Sequence, residues 1–379
     1  MKIKEIYIHI PFCVRKCGYC DFLSFQYNEE TSEKYIDCLC NEILHAEIED
    51  TEISTVFIGG GTPSVLGERD IERIMMTVSE HFLLSDDAEI TIEVNPGTVT
   101  ENKAKLYKQI GINRVSIGMQ SSDDEMLKKL GRIHNKKQFL ECYGRLRKAG
   151  IANLNVDVMS GLPGLTLEKY EETLKMVCEL GPEHISAYSL IIEENTPFFE
   201  LYNPDNGKKV SELPDEELER RQYERTGEIL SMNGYHRYEI SNYAKKGYEC
   251  RHNTGYWRGV PYYGFGLGAS SYIDGIRYSN VSLLDDYLKA GGIAKDTDSI
   301  IRLSKNDKME EFMYLGLRMT EGISRKQFKN LFNEDIDDVF GKVINKYSAL
   351  DLIMCEDDKI FLSERGIDVS NYIFSDFLM

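Results

Sequence analysis

The chain is 379 residues long, 42% apolar and 28% charged, with a formal net charge of -18. That length allows two or three domains around a sizeable core, and the acidic balance argues against nucleic-acid binding as the main job. No apolar run approaches the ~18 residues needed to span a bilayer. The opening MKIKEIYIHIPFC lacks a secretory-signal pattern, so nine cysteines point to a reducing, cytoplasmic compartment rather than a disulfide framework.

Strand-like segments recur at KEIYIHI (4–10), STVFIG (54–59), EITIEV (89–94), RVSIG (114–118), NLNVDVM (153–159) and HISAYSL (184–190). Helix-like patterns lie between them: 32–49, with Thr31-Ser32 as its cap, then 101–110 and 136–149. This alternation predicts an α/β fold over 1–200, an incomplete (β/α)6-type barrel with a parallel sheet covered by helices. A connecting segment follows over 201–299, with a charged helix at 212–230 and an aromatic, glycine-rich passage at 235–272. From 300 to 379, three helical patterns, the hairpin LDLIMCEDDKIFLS and a last helix from Ser363 predict a small winged-helix-like α+β domain.

In such a fold the reactive groups belong at the carboxyl ends of the strands. Cys13 follows the first strand, Gly59-Gly60-Gly61 ends the second and Glu93 ends the third. Gln120 follows the fourth, and Asp157 is late in the fifth. Cys13, Cys17 and Cys20 form a C-x3-C-x2-C run that fits neither a zinc ribbon nor a thioredoxin-like pair. Three thiolates on a four-iron cube leave one iron open to a small molecule; a zinc site completed by a distant Cys or His is the alternative. Gly60, Gly61 and Thr62 let backbone come close to a ligand. A phosphate loop is excluded there, since no Gly-Lys-Ser/Thr follows.

The cysteine run at the end of a first strand resembles the radical S-adenosylmethionine (SAM) superfamily. With it, YIHIPFC, GGGTPS, IEVNPGT, SIGMQS, GRIHN, NVDVMSGLPG, EISNYA, RHNTGYW and LGLRMTEG resemble the oxygen-independent coproporphyrinogen III oxidase-like family, along essentially the whole chain. The resemblance implies a radical SAM barrel and a [4Fe-4S] cluster on Cys13, Cys17 and Cys20, with SAM on the open iron. It places Tyr7, Gly60, Gly61, Thr62, Glu93, Gln120, Arg132 and Asp157 against SAM. The residue types suit such a ligand, with acceptors for ribose hydroxyls and a guanidinium for a carboxylate.

His252-Asn253-Thr-Gly-Tyr256-Trp257 matches an HNxxYW element of the family, which implies heme contact. Histidine is a common axial ligand of heme iron, and Tyr and Trp offer flat apolar faces. A histidine beside aromatics is also a common packed core residue, and Cys250 reads as structural. Within the family, two features favour heme chaperones over the oxidases. Phe22 stands where the oxidase carries a further Cys, and the chain begins six residues before Tyr7, without the oxidase's N-terminal extension. The chaperone reading implies heme and an acceptor hemoprotein, of the respiratory kind among others, as partners. No nucleic acid and no stable membrane insertion are expected; homodimerisation and contact with a membrane surface are left open.

Overall fold

The computed structural model describes residues 3–47, 51–205 and 207–379. At its centre lie β1 (Glu5–Ile10), β2 (Ile53–Gly60), β3 (Leu84–Val94), β4 (Arg114–Gln120), β5 (Asn153–Ser160) and β6 (His184–Ser189). Each runs parallel to the next. Their β-branched runs reflect burial on both faces, as along all of β4. Ile6, Ile8, Ile10, Val56, Ile58, Ile92 and Ile117 pack into the main core. The alternate rungs carry the polar side chains. Glu5 pairs in register with Thr55, Thr55 with Glu89, and Asn155 with His184, at the amino ends. His9 is level with Gly59, and Gly118 with Asp157, nearer the carboxyl ends.

The passage over 235–302 extends this sheet at both edges. β7 (His236–Arg237) and β8 (Asn242–Ala244) add antiparallel strands beyond β6. On the other side β9 (Tyr262–Phe265) lies parallel to β1, a seventh parallel strand within the aromatic, glycine-rich passage. β10 (Ser270–Ile273), β11 (Ile276–Ser279) and β12 (Ile301–Arg302) follow it antiparallel. The order is β12-β11-β10-β9-β1-β2-β3-β4-β5-β6-β8-β7. Its two edges do not pair, so the barrel is partial. Asp274 and Gly275, both at positive φ (51° and 73°), make the two-residue hairpin turn between β10 and β11.

The first helix, α1 (Glu29–Leu44), begins before the expected cap at Thr31-Ser32. Asn28 is the true cap: its side chain accepts from the Thr31 N–H at 3.0 Å, and Ser32 is buried inside the helix. Positions 48 and 49 of the expected helix lie outside the described residues. The expected charged helix starts at Glu216 and ends at Met232. A seven-residue helix, α2 (Arg251–Trp257), crosses the amino end of the barrel.

The C-terminal domain opens with α3 (Lys305–Gly316) and has its own core, including Met309, Met313, Phe328, Phe340, Ile360 and Phe377. Its small sheet is built from Ile323–Ser324, Ile353–Glu356 and Lys359–Leu362. The expected last helix is two short ones, Glu364–Asp368 and Ser370–Ser375, the first capped by Ser363. Among the described residues, no helix is long and apolar enough to cross a membrane.

Candidate functional site

The segment after β1 doubles back over the carboxyl ends of the strands. Phe12–Cys13 pairs in parallel with Phe25–Gln26, and the Tyr27 N–H donates to the Cys13 carbonyl at 2.8 Å. The intervening loop is pinned to the barrel where the Gly18 N–H donates to the Leu130 carbonyl at 3.1 Å. Cys13, Cys17 and Cys20 thereby line one cavity of about 140 Å³, together with Gly60, Glu93, Arg132 and Asp157. All three are free thiols. Burial raises the Cys13 thiol above its ordinary value and pushes Cys20 up to about 11. Among the described residues, no three His, Cys, Asp or Glu are arranged around a single metal ion. The three loop-borne thiols share one cavity, the kind of thiolate set that holds an iron–sulfur cluster.

The glycine loop after β2 uses its own donors to hold the barrel rim. Gly60 N–H donates to Glu93 Oε2 at 3.0 Å. Gly61 and Thr62 N–H donate to the carbonyls of Ile10 and Phe12 at 2.9 and 2.8 Å. A side chain at Gly61 would bring its Cβ within 2.8 Å of the Phe12 oxygen, so only glycine allows this approach. With these N–H groups spent, the loop suits a cationic ligand rather than a phosphate. The Thr62 hydroxyl lies 3.4 Å from Cys13 Sγ.

Two carboxylates reinforce that preference. Burial, then the neighbouring Asp157, raises Glu93 to about 7. Asp157 is itself raised by burial, although Asn155 donates to it at 2.7 Å and Ser116 at 3.3 Å. A ligand bringing positive charge would favour ionisation of both. Opposite them, Arg132 is fixed by a 2.6 Å hydrogen bond from Nη2 to the Gly118 carbonyl, with Nη1 3.6 Å from Cys17 Sγ. Its buried Nε has no hydrogen-bond partner among the described residues. Gln120, at a bulge with φ 69°, accepts from the Tyr188 hydroxyl at 3.1 Å. Tyr7 lies deeper: its hydroxyl is 3.0 Å from His9 Nδ1, and its ring stacks near Phe57 at 6.3 Å.

Sequence reasoning missed Tyr188, Ser116 and Asn155. Tyr188 lines the cavity from the end of β6, where the strand-end rule that found Glu93 and Asp157 would have found it. Ser116 and Asn155 had no comparable signal, because small polar residues inside a strand are common.

The HNxxYW residues lie elsewhere; His252 and Tyr256 meet, while Trp257 faces away from them. His252 is buried in the floor of the barrel, with Nδ1 2.7 Å from the Thr55 hydroxyl and Nε2 2.9 Å from the Tyr256 hydroxyl. Its ring stacks on Phe57 at 5.1 Å, and burial lowers its pKa to about 3. Both nitrogens are thus engaged in the arrangement seen. Tyr256 packs edge-on against Tyr262 at 4.7 Å. Asn253 is half-buried on the same helix. Trp257 turns the other way, toward the C-terminal domain, where the Arg318 guanidinium lies 4.2 Å from its ring centre. Cys250 is buried and weakly bonded to Glu89 Oε1 at 3.6 Å, in keeping with a structural thiol.

Residues 7–177 match the radical SAM superfamily, and residues 303–369 match the HemN C-terminal domain. The chain is 36% identical to the heme chaperone HemW of Lactococcus lactis subsp. lactis (strain IL1403), covering 100% of this chain and 98% of that one. It is also 36% identical to heme chaperone HemW of Bacillus subtilis (strain 168), over 99% of each. Its fold is similar to the solved structure of coproporphyrinogen III oxidase (HemN) from Escherichia coli, a radical SAM enzyme. The TM-score is 0.85 at 22% identity, covering 100% of this chain and 91% of the other. The chain belongs to the HemW family of the radical SAM superfamily.

Proposed function

We propose that the chain is a heme chaperone that binds heme and passes it to acceptor hemoproteins, on a radical SAM scaffold holding a [4Fe-4S] cluster and SAM. The observation that carries the reading is one cavity containing three thiols, a guanidinium and two carboxylates, on a chain 36% identical to HemW proteins along its whole length. Cys13, Cys17 and Cys20 would hold the cluster, which when bound supplies an electron to SAM. Arg132, whose Nε has no hydrogen-bond partner among the described residues, would meet the SAM carboxylate. Glu93 and Asp157 would accept from hydroxyl or ammonium groups, and the loop at Gly60 to Thr62 would keep the ligand close to backbone. Tyr188 and Ser116 hold Gln120 and Asp157 in the orientation this contact needs.

Phe22 supports delivery over porphyrin oxidation: it is 61% exposed at the mouth of the cavity, where the oxidase pattern has another cysteine. Anaerobic reconstitution with iron and sulfide should give a broad visible absorption that is lost in Cys13→Ala, Cys17→Ala or Cys20→Ala. Retained zinc without that absorption would refute the cluster. Hemin titration should shift the Soret band, followed by transfer to an apo-hemoprotein. Vinyl porphyrin formed from coproporphyrinogen III would instead identify an oxidase.

A further inference from the structure

A second concave site lies beneath the barrel floor, away from the cysteines. It is a groove of about 420 Å³ between α2 and the C-terminal domain, within the ~300–1,000 Å³ of small-molecule sites. Trp257 forms one side, and Phe312, Leu315, Leu331 and Phe332 form the other. Trp257 is the chain's single tryptophan, and its buried indole N–H has no acceptor among the described residues. Arg318, which does not line the groove, steadies the ring by packing over it.

The charges around the groove do not balance. Its two carboxylates are already taken: Glu311 by Arg277 at 2.7 Å and Glu321 by Arg258 at 2.8 Å. Lys308 and Lys359 also line it; neither makes a close ion pair among the described residues, although Lys359 also faces Asp358 in the adjoining cleft. A chain with net charge -18 thus presents a groove with aromatic and aliphatic walls and two ammonium groups on its lining. That combination matches a flat, largely apolar ligand bearing carboxylates on its edge, the chemistry of a dicarboxylic porphyrin. No histidine lines it, so recognition would rest on ring contacts and carboxylates rather than on the iron.

We propose that this groove between α2 and α3 is the porphyrin-carrying site, with Trp257 and Phe312 against the macrocycle and Lys308 and Lys359 on its propionates. The proposal rests on the reading that the chain carries heme, and relocates the contact from His252 to the opposite side of the floor helix. The test titrates full-length protein separately with hemin and with metal-free protoporphyrin IX. Both should bind, with affinities within about tenfold, because the iron is not the main handle. Leu315→Trp, which fills the groove, should weaken both ligands at least tenfold. The Lys308→Glu, Lys359→Glu pair should do the same without altering the thermal midpoint, and being at the surface it guards against misfolding of the first variant. Unchanged affinity in the lysine pair, or binding of hemin alone, would overturn the groove while leaving heme carriage intact. Binding of neither ligand by the wild type would remove heme carriage and the groove together.

Discussion

Glu5 is the sharpest test of the barrel floor. The residue is 3% exposed, Oε2 has no hydrogen-bond partner among the described residues, and α2 presses Gly255 against it. Burial, then the nearby Glu89, raises its pKa from 4.5 to about 9, with Arg251 opposing. The folded protein therefore keeps this proton between pH 4.5 and about 9, while the unfolded chain releases it. Stability attributable to Glu5 is greatest below pH 4.5 and falls as pH rises through that window. Glu5→Gln cannot ionise in either state, so its advantage over wild type should grow by about 1.4 kcal/mol per pH unit. From pH 5 to pH 8 the gap should widen by roughly 4 kcal/mol. Any constant cost of the extra amide donor cancels in that difference. Urea unfolding of both proteins at pH 5 and pH 8 measures it. A gap that stays constant would mean Glu5 is ionised in the folded state and the account of the floor is mistaken.

Gly255→Ala should destabilise although alanine is the better helix former, because its Cβ would meet Glu5 Oε1 at 1.8 Å. Adding Glu5→Ala should restore most of the loss; equal urea midpoints for the single mutant and wild type would contradict the contact. His252→Ala leaves the Thr55 and Tyr256 hydroxyls without their partner and opens a cavity. It should cost about 3 kcal/mol in denaturant unfolding, and a loss under ~0.5 kcal/mol would exclude a structural role. Arg132→Lys keeps the charge but loses the fork that spans Gly118 and Cys17. SAM affinity by equilibrium dialysis should drop about tenfold, or roughly 1.4 kcal/mol, with cluster absorption retained; undiminished binding would take Arg132 out of the SAM site.

The six central strands were legible because a doubly covered parallel strand must be apolar on the outer face, as in Ile6, Ile8 and Ile10. The rim residues were legible for a topological reason: every parallel strand delivers its last inward residue to the same end. What escaped detection was encoded by contact rather than pattern. Tyr262–Phe265 became a strand because β1 had a free edge, whereas its tyrosines and glycine gave no alternation to read. The Asp274-Gly275 turn, by contrast, was a readable local signal, since that pair favours a two-residue hairpin. Asn28 was overlooked as a cap because Thr31-Ser32 offered two equally good hydroxyls nearby. The fate of the HNxxYW residues could not be read at all. Whether a histidine four residues before a tyrosine faces a ligand or Thr55 depends on a strand nearly two hundred positions away.

α2 stoppers the amino end of the barrel with His252, Tyr256 and Gly255, so the cysteine cavity opens toward the carboxyl ends of the strands. The loop bearing Cys13, Cys17 and Cys20 hangs over that mouth, pinned at Gly18 and Tyr27. A cluster and SAM held as proposed would both be reached past this loop, by the same doorway. A cluster built first would become the lintel beneath which SAM passes, whereas SAM arriving first would stand in the builder's way. Porphyrin carried beneath the stopper would not queue at that doorway.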